Sequence, residues 1–181
     1  MFVEREISRK TVYEGRILNV RQDIVALHNG VHAGREVVEH SGGVCIVPVL
    51  EDGTCFCVRQ FRYPFMESLL EFPAGRLERG EDPLACAIRE LSEETGLVPS
   101  DMVYLGPMYP SPGYADEVLH IYLATGLVQG AAHPDENEFL SVEQHSMEDL
   151  LAMAAEHKLS DAKTLVGLFK AKQYLATQEG L

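Results

Sequence analysis

The sequence predicts an α/β protein in which an antiparallel β arm precedes one larger domain. Turn dipeptides such as Asn29-Gly30 and Asp52-Gly53 separate short β-rich runs in the first third of the chain. A helix with clear start and stop signals follows over residues 83–95. A chain of 181 residues corresponds to about one domain of roughly 150 residues. We expect the arm over residues 1–42 and the larger domain over residues 43–181.

Strands are predicted where β-branched, aromatic and Cys residues form short apolar runs. Val44–Leu50 and Thr54–Val58 are such runs, which is typical of strands buried on at least one face. Residues 63–79 contain three chain-breaking residues and are predicted to form a loop. Further strands are predicted over residues 102–108, 118–124 and 139–142, and further helices from Ser146 to about His157 and after Asp161.

The helix over residues 83–95 is the most strongly marked element. Asp82 is a good N-cap, Pro83 suits the first turn, and Gly96 suits the left-handed C-terminal cap. At about 100° per residue, one narrow stripe is predicted to face the core. It consists of Leu84, Ile88, Leu91 and Thr95.

The acidic composition narrows the class of partner. The net charge is −13, and a protein that binds nucleic acid through its phosphates needs a basic surface instead. No apolar stretch reaches the roughly 20 residues that a membrane helix requires. The opening residues 1–6 lack the apolar core of a secretion signal. We therefore expect a cytoplasmic protein without nucleic-acid or membrane partners.

The four cysteines lie inside apolar or helical segments. Cys55 and Cys57 alternate within one predicted strand, so their side chains point to the same face. Reduced thiols in the core are favoured over zinc or redox chemistry. The other two cysteines are Cys45 and Cys86.

Three carboxylates meet on one flank of the helix. Glu90 and Glu94 are one turn apart and Glu93 lies beside them, a spacing that costs roughly 0.2–0.5 kcal/mol in a helix. They also occupy the last two turns, where the helix dipole disfavours anions by about 0.3–1 kcal/mol each. Arg89 can neutralise Glu93, but the segment offers no obvious cation to the other two. A solvated acidic face is one interpretation, and a bound divalent metal ion is the other.

The segment Gly75–Leu97, GRLERGEDPLACAIRELSEETGL, resembles the Nudix box. Its flanks resemble the branch of ADP-ribose and nucleoside diphosphate sugar pyrophosphatases, in VRQFRYP (58–64), LLEFPAG (69–75), YPSPGYADE (109–117) and DENEF (135–139). The resemblance implies an α/β/α sandwich with a mixed sheet. It also implies Mg²⁺-dependent hydrolysis of a nucleotide sugar to a nucleoside monophosphate and a sugar phosphate, with Mn²⁺ as an alternative metal.

The resemblance also implies roles for individual residues. The implied metal ligands are Glu90, Glu94, Glu71 and the carbonyl oxygen of Ala74. The implied general base is Glu136, with Glu138 and Glu93 as alternatives, and Arg89 would orient the carboxylates. The residues implied to contact substrate are Arg62, Arg35, Tyr13, Ser111, Pro112 and Gly113. For Tyr13 and Arg35 an ordinary surface position is an equal alternative, and the Pro-Ser-Pro-Gly run is also typical of a tight turn.

Relatives in this branch form dimers through the N-terminal sheet, so the resemblance implies a homodimer. Two other functions stay open. One is a non-catalytic sensor of ADP-ribose or a nucleotide sugar, although such modules usually lose box carboxylates that this chain keeps. The other is a hydrolase of nucleoside triphosphates or diadenosine polyphosphates. The base, the sugar and the phosphorus attacked are not determined by the sequence.

Overall fold

A computed structural model describes residues 2–130 and 139–178. By its contacts the chain divides into two compact units. The first contains Met1–Gly42 and Tyr109–Val118, and the second contains Gly43–Met108 and Leu119–Leu181. The first unit thus includes a segment that we expected in the larger domain.

The first unit is built on a three-stranded antiparallel sheet. Its strands β1 (Arg5–Glu14), β2 (Leu18–Ala26) and β3 (His32–His40) pair in chain order. Gly30 in the turn between β2 and β3 has a φ of 82°, which favours glycine at that position. The predicted hairpin at Asn29-Gly30 is therefore confirmed.

Backbone hydrogen bonds explain why residues 109–118 belong to this unit. Val38 N–H donates to the Tyr114 carbonyl at 2.7 Å, and Asp116 N–H donates to the Val38 carbonyl at 3.1 Å. The His40 N–H donates to Asp116 Oδ1 at 2.9 Å. These bonds add the segment to the edge of β3, a pairing between residues too far apart in sequence for a local pattern to indicate.

The second unit contains the remaining strands and all three helices of the described residues. The strands are β4 (Gly43–Pro48), β5 (Thr54–Arg62), β6 (Glu67–Glu71), β7 (Ala74–Arg76), β8 (Leu97–Val98), β9 (Asp101–Met108), β10 (Leu119–Thr125), β11 (Val128–Gln129) and β12 (Leu140–Ser146). The helices are α1 (Pro83–Thr95), α2 (Met147–Ala155) and α3 (Ala162–Gln178).

A mixed sheet with strand order β7-β4-β10-β9 forms the centre of this unit. Strands β4 and β10 are parallel, whereas β7 and β9 pair antiparallel to their neighbours. Successive side chains of β4 alternate between two cores. Val44 and Ile46 lie in the cluster that includes residues of α1, and Cys45 and Val47 lie in the cluster that includes residues of α3. The predicted α/β/α sandwich is confirmed.

Two short strands lie where a loop was predicted. Residues 67–71 pair with β5, and residues 74–76 pair with β4. The breakers Pro64 and Pro73 flank β6 instead of interrupting it, and Gly75 is tolerated within the three-residue β7. The loop prediction for residues 63–79 was therefore wrong. These two strands contain Glu71, Ala74 and Gly75, which belong to the candidate site described below.

Helix α1 begins and ends as predicted, but its buried face is rotated. Asp82 accepts hydrogen bonds from the first turn, and Gly96 closes the helix in the left-handed conformation. Leu84 and Ile88, predicted to face the core, are each 40% exposed. The buried residues are Cys86, Ala87, Leu91, Glu94 and Thr95. The buried stripe therefore runs through a carboxylate, which hydrophobicity alone does not predict.

All four cysteines are buried and free of disulfide bonds. Cys45, Cys55 and Cys57 share one core cluster and Cys86 lies in the other. Burial raises the pKa of Cys45 and Cys55 to about 12, so these thiols are protonated. Within the described ranges, no helix combines the length and the apolar character needed to cross a bilayer.

Candidate active site

The carboxylates of α1 lie against the backbone of β7. A Cβ atom added to Gly75 would overlap the carboxylate of Glu90, so only glycine permits this approach. The backbone N–H of Ala74 donates to Glu94 Oε2 at 3.2 Å. Although Glu94 is only 3% exposed, its carboxylate thus meets a polar group. Helix and strand together place two carboxylates beside one short stretch of main chain.

Arg89 links three glutamates of the site. It donates two hydrogen bonds to Glu81, from Nε at 2.9 Å and from Nη2 at 3.0 Å. Its Nη1 donates to Glu90 Oε1 at 2.8 Å and to Glu93 Oε2 at 2.9 Å. The predicted Arg89–Glu93 pair is confirmed, whereas the expectation that Glu90 lacks a cation within the segment was wrong.

We call Glu81, Arg89, Glu90, Glu93 and Glu94 the acidic corner. Hydrogen bonds from Arg89 lower the pKa of Glu81 to about 2, so this carboxylate is ionised at neutral pH. The same carboxylate hydrogen bonds raise the pKa of Arg89. Three glutamates thus bond to one arginine, and the fourth, Glu94, lies at the β7 backbone.

The donor atoms of the acidic corner suit a hard divalent cation. They are carboxylate oxygens, which Mg²⁺ and Mn²⁺ favour as ligands. In the described part of the chain, no three acidic, histidine or cysteine side chains converge into a complete metal site. An ion here would be shared with water and with phosphate oxygens of a ligand, as is usual for Mg²⁺.

A second group of charges surrounds Glu71, whose side chain is 1% exposed. Arg62 donates to it from Nε at 2.7 Å and from Nη2 at 2.6 Å, and the Nζ of Lys163 donates to its Oε2. Lys163 also pairs with Asp161 at 3.0 Å. We call Arg62, Glu71, Asp161 and Lys163 the balanced cluster, because two cations face two carboxylates.

Electrostatics keep Glu71 ionised despite its burial. Burial pushes the pKa of this carboxyl upward, but the hydrogen bonds and charges of Arg62 and Lys163 outweigh it and hold the pKa below its usual value. Both carboxylate oxygens thus already have cationic partners. The expected role of Glu71 as a direct metal ligand would require one of these partners to move away.

The start of α3 is fastened to the chain that leads into β7. The Thr164 hydroxyl donates to Asp161 Oδ2 at 2.6 Å and accepts from the Phe72 N–H at 2.8 Å. Thr164 is fully buried. Asp161 was predicted as a helix cap, but Lys163 was not predicted as a neighbour of the site, because it is 92 residues from Glu71 in sequence.

The remaining predicted residues lie in the first unit or outside the described residues. Tyr13 is 57% exposed on β1, and Arg35 on β3 pairs with Glu4 at 2.9 Å. Ser111, Pro112 and Gly113 belong to the first unit. Glu136 and Glu138 lie outside the described residues.

Comparisons with known families agree with this architecture. The protein-family model described as "NUDIX domain" matches residues 39–166. The model described as "Nucleoside diphosphate sugar hydrolase N-terminal domain" matches residues 4–38. Nudix hydrolases generally use divalent metal ions, which fits the oxygen donors of the acidic corner.

Individual relatives cover nearly the whole chain. The methanol dehydrogenase activator of Bacillus methanolicus is 38% identical, over 100% of this chain and 97% of its own length. The ADP-ribose pyrophosphatase of Bacillus subtilis (strain 168) is 36% identical, over 98% and 95%. A crystal structure of an ADP compounds hydrolase matches the fold with a TM-score of 0.85 at 24% identity, over 97% of this chain and 95% of that one. The chain therefore belongs to the Nudix family, and it is a Nudix hydrolase.

Proposed function

We propose that this enzyme hydrolyses the pyrophosphate bond of ADP-ribose or a related nucleoside diphosphate sugar, giving a nucleoside monophosphate and a sugar phosphate. The observation that carries the proposal is the acidic corner, in which three glutamates bond to Arg89 and a fourth, Glu94, bonds to the β7 backbone. The family of the N-terminal residues 4–38 favours nucleoside diphosphate sugars as the substrate class. The name of the Bacillus subtilis relative favours ADP-ribose within it.

The proposed metal is Mg²⁺, with Mn²⁺ as a substitute. Glu90, Glu94 and the carbonyl oxygen of Ala74 would hold it, because both carboxylates lie at the Ala74–Gly75 backbone. When bound, such an ion offsets the charge of the pyrophosphate and makes water a better nucleophile. Arg89 keeps Glu90 and Glu93 in place through its hydrogen bonds.

A carboxylate must also take a proton from the attacking water. We propose Glu136 for this role, with Glu138 and Glu93 as alternatives. Glu93 is 32% exposed and accepts from Arg89 at 2.9 Å, so it is held close to the proposed metal ligands. Separate glutamine substitutions at the three positions distinguish them, because loss of the base lowers kcat and removes the acidic limb of the pH–rate profile.

Arg62 is proposed to bind a phosphate group. Its Nε and Nη2 form a two-point contact with Glu71, and its side chain is 37% exposed. We propose that the remaining edge of the guanidinium, at Nη1, contacts the ligand. We propose that Glu71 anchors Arg62 and does not bind the metal directly.

The first unit is proposed to supply the dimer contact. Every residue of β1 is exposed, including Ile7 at 49% and Val12 at 46%, and exposed apolar strand residues favour pairing with a second copy. Tyr13, Arg35 and residues 111–113 remain our proposals for contacts with the base and the sugar. Size-exclusion chromatography with light scattering tests the dimer, by comparing the molar mass of the wild type with that of Ile7→Lys.

We also propose a cytoplasmic location, because four unpaired buried cysteines suit a reducing compartment. Fractionation of the source cells tests this assignment. Recovery of the protein with secreted material would contradict it.

One substrate panel tests the proposed function. ADP-ribose, ADP-glucose, GDP-mannose, UDP-glucose, a diadenosine polyphosphate and dGTP are each incubated with Mg²⁺, and the products are identified after reaction in ¹⁸O-labelled water. We expect the highest kcat/KM on a nucleoside diphosphate sugar. Tight binding without cleavage would instead identify a sensor, and faster turnover of dGTP or of the diadenosine compound would contradict the proposed substrate class.

A further inference from the structure

Lys163 is a buried cation to which the proposed reaction assigns no role. Its side chain is 12% exposed and pairs with Glu71 and with Asp161. A buried lysine needs such partners, because an unpaired charge in the interior costs several kcal/mol. These partners explain how the charge is tolerated, but not why a cation is placed at this carboxylate.

The geometry of Arg62 supplies a reason. A guanidinium is planar, and its two-point contact with a carboxylate fixes the plane as well as the position. In the Arg62–Glu71 pair the Nε and Nη2 edge is engaged at 2.7 and 2.6 Å. We therefore expect a displacement of Glu71 to move the opposite edge of Arg62 as well.

The position of Glu71 depends in turn on α3. Lys163 donates to Glu71 Oε2, the oxygen that also accepts from Arg62 Nη2. Lys163 also pairs with Asp161 at 3.0 Å. The next residue, Thr164, accepts a hydrogen bond from the Phe72 N–H at 2.8 Å, which fixes the first turn of α3. The carboxylate of Glu71 thus connects Lys163 of α3 to the guanidinium of Arg62.

We propose that Lys163 is a positioning residue, which acts through Glu71 to fix the guanidinium of Arg62 so that its Nη1 edge faces a phosphate group of the substrate. The phosphate part of this inference rests on the proposed function. The orientation of Arg62 can be tested without any substrate. A purely structural lysine would change stability and leave Arg62 in place.

The side-chain Nε–H NMR signal of Arg62 reports this orientation directly. The signal is assigned by its loss in Arg62→Lys. We expect it to shift or broaden in Lys163→Met and to stay unchanged in Lys172→Met. Lys172 is a matched control, because it lies on the same helix, is 48% exposed and is 3.9 Å from its carboxylate partner Glu148.

A second variant covers the case in which Lys163→Met does not fold. Glu71→Gln combined with Lys163→Met removes one charge of each sign and keeps the cluster neutral. We expect the Arg62 signal in this double variant to match that of Glu71→Gln alone, because Lys163 acts only through Glu71. An unchanged signal in Lys163→Met, or a further shift in the double variant, would overturn the proposal.

Steady-state kinetics measure the consequence for catalysis. We expect Lys163→Met to lower kcat/KM for ADP-ribose roughly 10- to 100-fold, mainly through KM, because a misplaced phosphate contact weakens binding of the substrate as much as binding of the transition state. A fall in kcat at constant KM would contradict this role. If the wild type cleaves no nucleoside diphosphate sugar, the proposed function fails, and the NMR measurements still decide the role of Lys163.

Discussion

The acidic corner and the balanced cluster lie in the same unit and both combine carboxylates with cations, yet their charge balance differs. In the acidic corner Arg89 pairs with three glutamates, and the fourth, Glu94, accepts from the Ala74 N–H. In the balanced cluster two cations and two carboxylates satisfy one another. Burial does not separate the two groups, since Glu94 and Glu71 are 3% and 1% exposed.

The difference indicates which group of charges is complete within the protein and which one needs a cation from outside. A neutral set of buried ion pairs needs no further ion, so it suits a scaffold that holds Arg62 in place. An excess of carboxylates at the end of a helix costs free energy through repulsion and through the helix dipole. Such an excess is tolerated when a cation from outside completes it, which is the role we assign to the acidic corner.

The largest expected effect follows from loss of a proposed metal ligand. We expect Glu94→Gln to lower kcat/KM at saturating Mg²⁺ at least about 100-fold, or roughly 2.7 kcal/mol of transition-state stabilisation. Glu148→Gln is the control, because Glu148 is 78% exposed on α2. Near wild-type turnover of Glu94→Gln would remove the distinction between the two groups of charges.

The balanced cluster is expected to respond in stability. Lys163→Met leaves Glu71 and Asp161 short of a cation, and breaking a buried pair in this way lowers the free energy of unfolding by about 3–5 kcal/mol. The exposed control Lys172→Met should stay within about 0.5 kcal/mol of the wild type. Urea titration in EDTA measures both. Equal stability of the two variants would show that the cluster is not a scaffold.

Removal of the arginine from the acidic corner should make stability depend on metal. Arg89→Met deletes hydrogen bonds to three carboxylates, so we expect about 2 kcal/mol lower unfolding free energy in EDTA. Mg²⁺ should then raise the Tm of this variant by more than it raises the Tm of the wild type. A similar Mg²⁺ response in both proteins would indicate that no cation can replace the arginine.

A smaller effect is expected in acid. The pKa of Glu81 is lowered from 4.5 to about 2, so its stabilisation is complete above the unfolded-state pKa and is lost as pH falls through the folded-state pKa. The difference in unfolding free energy between the wild type and Glu81→Gln should therefore shrink between about pH 4.5 and about pH 2. The titration is run in EDTA. A difference that is constant over this range would contradict the depressed pKa.

The sequence predicted correctly those elements that are determined by residues close together in the chain. Asp82, Pro83 and Gly96 were sufficient to place α1, because caps act within one turn. The two short strands β6 and β7 were missed because their partners are β5 and β4, and their own residues look like a loop. The buried face of α1 was misplaced for a similar reason, since the β7 backbone determines that Glu94 turns inward.

The sequence predicted the acidic corner better than it predicted the balanced cluster. Glu90, Glu93 and Glu94 are neighbours on one helix, so their conflict is visible in the sequence. Arg62, Glu71 and Lys163 come from β5, β6 and α3, and only the folded chain brings them together. The resemblance to the Nudix box supplied the interpretation of the first group and gave no indication of Lys163.

The central claim is that the acidic corner binds a divalent cation. Mn²⁺ binding measured by electron paramagnetic resonance, with a non-hydrolysable ADP-ribose analogue present, tests it most directly. We expect Glu90→Gln and Glu94→Gln each to weaken Mn²⁺ binding at least about 10-fold, while Lys172→Met binds as the wild type does. Equal affinity in all four proteins would contradict the claim.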